Sequence, residues 1–394
     1  MKKQLITSAL LALGVVAHAQ NNQADIKQNG TDNVNTVQQT GMDGKLTLIQ
    51  GTSSNTAAQT SAEVSMGGDA NEVFIQQINT GHVAEARQGS SASNNKISIR
   101  QQDHGNQSTV LQQDGEVRNN EATTQQSGQS NVATITQGGF EALSVGNEAK
   151  VKQSGGENRG TIEQGSDNSI ASRNNQATLT QDGHRNGAVI TQGTFGGDAT
   201  DNVAKLTQTG NDNRGTIQQS TGVSRNNEAI LKQEGDGHGA DIRQGTLGGE
   251  SEAYNNQAKL NQRGHGHDAE IRQGTSEGVA NDNQATLRQA GSANRATIVQ
   301  GEEFVEADNN TATLTQDGTG NKGEIYQGDD LIFSLTGEEV GLGVTTSLNN
   351  RATLAQYGDD HEAVIVQAGS NQLANVQQRG SGNVSQVIQG VTLP

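Results

Sequence analysis

The chain has 394 residues, 30% hydrophobic and 2% aromatic, with no Trp, no Cys and a formal charge of -17. That rules out a disulfide framework and a set of conventional apolar cores, and the charge argues against nucleic acid or an anionic membrane as partner. Its single proline is Pro394, which suits a backbone that needs every N–H for a ladder.

Residues 1–19 read as a secretory signal: Lys2 and Lys3, an apolar run around Leu10 to Val16, then Ala17-His18-Ala19. The run is too short to span a bilayer and no later segment is long enough, so no membrane insertion is expected. Without it, 24 basic and 43 acidic residues leave a charge near -19, that of a self-repelling secreted chain. Repulsion of this size predicts that added salt, or a pH nearer the sequence pI of 4.8, speeds self-association.

Residues 20–394 read as one repeat solenoid. In residues 174–193, Asn175, Ala177, Leu179 and Gln181 recur eleven residues later as Asn186, Ala188, Ile190 and Gln192. Alternate positions repeat and those between are polar, the period of a strand with one buried face. The unit is therefore strand–arc–strand, and fourteen copies begin at 22, 44, 71, 95, 120, 147, 175, 202, 227, 256, 283, 310, 350 and 372, reaching residue 390. Each second arm is expected eleven residues after the first. The return connections vary from four residues (368–371) to twenty-two (328–349), so insertions fall on one edge.

First arms close on Gln throughout, including Gln126, Gln153, Gln181, Gln208, Gln233, Gln262, Gln289, Gln316 and Gln356. Second arms close on Gln in thirteen units, including Gln137, Gln192, Gln300 and Gln327; only Ser61 is expected to depart, with Gln59 in the apolar position of that poorest unit. Asn120, Asn175, Asn283 and Asn310 open first arms. The apolar position is Leu in seven successive first arms, among them Leu179, Leu206, Leu260, Leu287 and Leu314, and Ile in nine successive second arms, among them Ile135, Ile190, Ile217, Ile271 and Ile298. Separate Leu and Ile preferences predict two facing sheets that stack like upon like. Stacked coils place identical side chains about 4.8 Å apart, so Asn and Gln amides can bond their copies above and below. A thin core of Ala, Leu and Ile between amide ladders then replaces an ordinary core. The fold class is all-β, a two-sheet solenoid that becomes a cross-β fibre on polymerisation. Gly155, Gly183 and Gly318, two places after the first-arm Gln, are expected at positive φ.

The spacing Asn-x5-Gln-x4-Asn-x5-Gln over residues 22–390 resembles the curlin repeat. The resemblance implies a curli-like major subunit, secreted unfolded through an outer-membrane pore and polymerised as functional amyloid in biofilm matrix. It implies as partners further copies of the chain, a curli nucleator and the secretion pore, and a location at the cell surface or in the extracellular matrix. Unlike the familiar curli subunits, the first repeat here starts at Asn22 without a separate targeting segment, and the repeats are more numerous. Uncapped repeats at both ends predict coils that stack on neighbouring copies.

Other readings are weaker. His82, His238, His267 and His361 stand at the Asn position of second arms, where a neutral imidazole can serve the ladder. His265-Gly266-His267 invites a metal, but alternation points His265 away and no third ligand is evident. GDGHG at 235–239 faintly resembles a calcium repeat without its period. No catalytic constellation recurs, so neither an enzyme nor a cofactor is expected. Outward pairs Thr134/Thr136, Thr178/Thr180 and Thr313/Thr315 would suit an ice-binding face, but coils carrying Lys205 and Lys259 interrupt them. A monomeric adhesin binding a host or glycan surface is the main alternative, and a nucleator rather than a major subunit is the other. The insertion 328–349 reads as a long surface loop whose apolar residues would also suit a hairpin or a contact site.

Overall fold

A computed structural model describes residues 21–390, apart from residue 32 and short stretches at 52–56, 59, 113–114, 140–141, 167–170, 195–197, 220–222, 247–251, 276–278, 303–304, 329–330, 334–338 and 342–345. The candidate signal at 1–19 lies outside the described residues. Fourteen first arms form one sheet and fourteen second arms another, each in chain order. The arms pair in parallel and in register: within Gln176–His184 and Val203–Asn211, Leu179 lies opposite Leu206 and Gln181 opposite Gln208. Described residues contain no helix. The fold is an all-β solenoid of fourteen coils.

The alternation in sequence becomes the two faces of each arm. In Gln176–His184 the inward Ala177, Leu179 and Gln181 are buried, while Gln176 is exposed and Thr178 and Thr180 are half-buried. Leu and Ile rows from the two sheets merge into one apolar cluster running the length of the rod. Ala and Gly opposite Leu let the sheets close: a Cβ on Gly160 would come 3.0 Å from Leu179 Cδ2 of the facing arm. In coil 5 (120–137) Thr124 takes the Leu position, and its buried hydroxyl is satisfied by Ser108 Oγ at 2.7 Å.

Three sheets are present, not two. The return connections end in short strands such as Ala171–Arg173, Asp198–Thr200 and Val223–Arg225, and eleven of these stack into a third parallel sheet. Its central residues are small and buried: Ser172, Ala199, Ser224, Ala253, Ala280 and Ala307. Coils 3 to 13 thus have a third short side, and insertions leave between the second arm and that side. Corners before first arms hold Asn174, Asp201 and Asn226 in the left-handed region (φ 53, 55 and 55), where short polar side chains are best tolerated.

The second coil departs from the expected spacing. Its second arm is Ser61–Met66, aligned with Val34–Gln39 and Val83–Gln88. It opens at Thr60, sixteen residues after Gly44, so Ala62 and Val64 are its core residues and Met66 its closing residue. The eleven-residue rule placed Gln59 and Ser61 there; five extra residues in the arc shift the register. The cause is physical: only the displaced register buries Ala62, Val64 and Met66 on the inner face, as the period of two requires. Within the insertion 328–349, Leu331–Phe333 pairs antiparallel with Glu339–Gly341, a hairpin rather than a plain loop.

Candidate self-assembly ladders and outer faces

Closing glutamines form two hydrogen-bonded columns. In the first-arm column Gln153 Nε2 donates to Gln181 Oε1 (2.8 Å), Gln181 to Gln208 (2.9 Å), Gln208 to Gln233 (2.8 Å) and Gln233 to Gln262 (2.9 Å). The column continues from Gln262 through Gln289 and Gln316 to Gln356, and Gln126 donates into it from below. The second-arm column runs from Gln137 through Gln164 to Gln192 and Gln219, and later from Gln273 through Gln300 to Gln327 and Gln367. Every amide in these runs donates toward the C-terminal coil. Nε2 also reaches across the core, as Gln181 does to the Asn186 carbonyl (2.9 Å). Each glutamine therefore clamps neighbouring coils and facing sheets, leaving its buried amide satisfied.

The asparagines work differently. Asn147 Oδ1 accepts the main-chain N–H of Asn175 (2.9 Å), and Asn175 Nδ2 donates to the Ala199 carbonyl in the third sheet (2.8 Å). Asn120, Asn283 and Asn310 repeat this, each Oδ1 accepting the main-chain N–H of the next opening Asn. Amide-to-amide contacts accompany it, as from Asn175 to Asn147 (3.1 Å). Asparagine is thus chiefly a side chain-to-backbone bracket between coils, and it ties the third sheet to the first. The predicted core rows are fully buried: Leu179, Leu206, Leu260, Leu287, Leu314, Ile135, Ile190, Ile217, Ile271 and Ile298 are each 0% exposed.

Two further features set the close stacking. Gly155, Gly183 and Gly318 have φ of 94, 124 and 133. A Cβ on Gly183 would lie 2.0 Å from the Gly210 carbonyl oxygen of the next coil. Here glycine is required by coil spacing as well as by φ.

Four histidines replace Asn in the second arms. His267 accepts the Asn294 N–H on Nδ1 (3.2 Å), and its Nε2 bonds the Arg263 carbonyl (3.0 Å). His238 is placed alike, and the two rings stack with centroids 5.0 Å apart. An N–H aimed at Nδ1 and a carbonyl at Nε2 require the neutral ring with its proton on Nε2. Burial holds His82, His238 and His267 below their ordinary pKa of 6.5. His265 is exposed, 3.7 Å from Asp236. Among the described residues no group of three metal-ligating side chains occurs.

The outer faces carry most of the charge. On the second-arm face cations pair with acids, as Arg243 with Asp241 and Arg272 with Glu270. These residues are half-buried at the surface, where an ion pair contributes modestly. The threonine pairs Thr178/Thr180 and Thr313/Thr315 are half-buried on the first-arm face, with Lys205 and Lys259 exposed between them. At coil 13 the outward Val364 and Val366 are buried and pack with Tyr326 and Ile388, an apolar patch that polar alternation did not anticipate.

Residues 349–380 match the family model of the curlin associated repeat. That match covers coil 13 and the first arm of coil 14, and arms of the same spacing recur in the other coils except coil 2. No curated protein matches the chain. The curlin repeat and the solenoid fold are those of a repeat-containing structural or adhesin protein, and the repeat points to an extracellular or surface setting and to a non-catalytic role.

Proposed function

We propose that this curlin-repeat solenoid is the structural subunit of an extracellular, curli-like amyloid fibre that grows by stacking its terminal coils and supports adhesion and cell aggregation in biofilm matrix. The observation that carries the reading is that both long sheets end in open edges. Among the described residues, Gln23–Gln28 and Val34–Gln39 have partners on one side only, as do Leu373–Ser381 and Val384–Gln389. Every position of Gln23–Gln28 is exposed, including Ile26 at 44%, and Val34 and Val384 are 63% and 65% exposed. Unpaired edges recruit further strands.

The amide columns give that recruitment a direction. Gln28 Nε2 already donates to Gln50 Oε1, while Gln378 Nε2 at the far end bonds only main-chain carbonyls of Glu362 and Asn383. The last coil of one copy presents donors where the first coil of another presents acceptors. Such a head-to-tail contact is heterologous and does not close, which is the condition for a filament. A curli-type nucleator and outer-membrane pore are the partners that the family resemblance supplies.

The test is dilution of the mature chain from denaturant, followed by thioflavin binding, electron microscopy and fibre diffraction. Fibres with a cross-β pattern are expected. A chain that stays monomeric for days at high concentration and neutral pH, with full β content, would replace this reading with a monomeric adhesin.

A further inference from the structure

In a chain of charge -17, the outer face of the first-arm sheet is locally basic. From coil 6 to coil 13, the two central outward positions hold Lys150, Lys152, Lys205, Lys232, Lys259 and Arg288, and their other occupants are uncharged. Lys232 pairs with Glu234 at the rim. The other five are exposed and have no ion-pair partner among the described residues, unlike Arg243 and Arg272 of the opposite face. We infer that this face binds a linear acidic polysaccharide lying along the solenoid axis.

Spacing selects the ligand class. Lys150, Lys205 and Lys259 occupy the same column two coils apart, about 9.6 Å at ordinary strand separation. That is close to the length of one disaccharide in a linear glycan, so a chain with one carboxylate per disaccharide places an anion at each lysine. Nucleic acid is a poorer fit, because its charges recur about every 3.4 Å along each strand. Thr178 stands between Lys150 and Lys205 with Thr180 beside it, and Thr286 follows Lys259; their hydroxyls can donate to and accept from sugar hydroxyls, while Ile230 separates Lys205 from Lys259. Acidic side chains flank the strip at Glu148 and Glu228 on one rim and at Asp182 and Asp317 on the other, which confines a polyanion to the central columns. Long-range repulsion from the rest of the chain is screened beyond about 10 Å at 0.1 M salt, leaving the local row to decide binding. The face lies along the side of the rod, so end-to-end stacking leaves it free.

The experiment measures binding of the full mature chain to hyaluronan, an alternating uronate–hexosamine glycan, beside duplex DNA and neutral dextran. Hyaluronan should bind, weaken with added salt and outcompete DNA, and dextran should not bind. Replacing Lys150, Lys205 and Lys259 together by Gln should raise the hyaluronan Kd about tenfold or more while strand content stays unchanged. Replacing Arg159, Arg214 and Arg295 by Gln removes the same charge from the second-arm face and should leave binding nearly intact. Equal losses in the two triple variants, tighter binding of DNA, or no hyaluronan binding at any salt concentration would overturn the assignment. Because the readout is binding, it stands apart from whether the chain polymerises.

Discussion

Coils 1–3 (22–88) and coils 6–12 (147–327) obey the same pattern with different fidelity. In coils 6–12 each closing position is Gln, and each amide column is unbroken. In coil 2 Met66 closes the second arm, and Gln39 Nε2 meets a thioether at 3.6 Å instead of an amide. One coil further on, Gln88 Oε1 is buried without a hydrogen-bond partner, because Met66 beneath it has no N–H to donate. One missing amide therefore costs its neighbours on both sides. A ladder stabilises as a column, and its weakest rung sets where it opens.

The comparison can be broken most forcefully in the regular region. Leu314→Ala empties a fully buried position of the core row and should cost about 2–5 kcal/mol, read as faster hydrogen exchange in coils 11–13 and lower denaturant resistance. Local exchange is the better readout, since repeat arrays need not unfold in two states.

Gln316→Ala should come next. It removes the acceptor of Gln289 Nε2, the donor to Gln356 Oε1 and the bond to the Arg295 carbonyl, at about 1–3 kcal/mol for each buried group left unpaired. Gln88→Ala should cost less, because its Oε1 already lacks a donor. Equal costs at the two positions would refute the column argument.

Acid should loosen the histidine rungs selectively. Burial holds His82, His238 and His267 below 6.5, so their stabilising contribution is complete above 6.5 and declines as pH falls below it, where the unfolded chain takes up protons that the folded rungs refuse. Against burial at His238, the hydrogen bond to the Glu234 carbonyl raises the pKa, His265 lowers it further and Asp236 raises it. Exchange in coils 9 and 10 should accelerate in acid, and His238→Asn with His267→Asn should abolish that acceleration, because Asn serves the same position at Asn213 and Asn294.

Repair of the irregular region is a smaller effect of opposite sign. Met66→Gln completes the second-arm column between Gln39 and Gln88 and should stabilise coils 1–3 by about 1 kcal/mol. Slower exchange there, with no change in coils 6–12, is the expected result. Thr315→Ala should be the mildest change, within about 0.5 kcal/mol, because Thr315 is half-buried on the outer face. Damage equal to that of Gln316→Ala would mean that the faces are misassigned.

Much of this was legible in the chain because a period of two with a fixed repeat determines which side chains stack. Leu179 above Leu206, Ile190 above Ile217 and Gln181 above Gln208 follow from spacing alone. The third sheet was also written there, as a small residue three places before most opening asparagines, in ASRNN (171–175) and VSRNN (223–227), but single short strands carry no period to detect. Only the tertiary structure decided the register of coil 2, since an arc can lengthen at little entropic cost and the choice between Ser61 and Met66 is made by the faces of coils 1 and 3. It also decided that asparagine brackets the backbone while glutamine bonds its copies: the shorter side chain reaches the next coil's N–H, and the longer one spans the core.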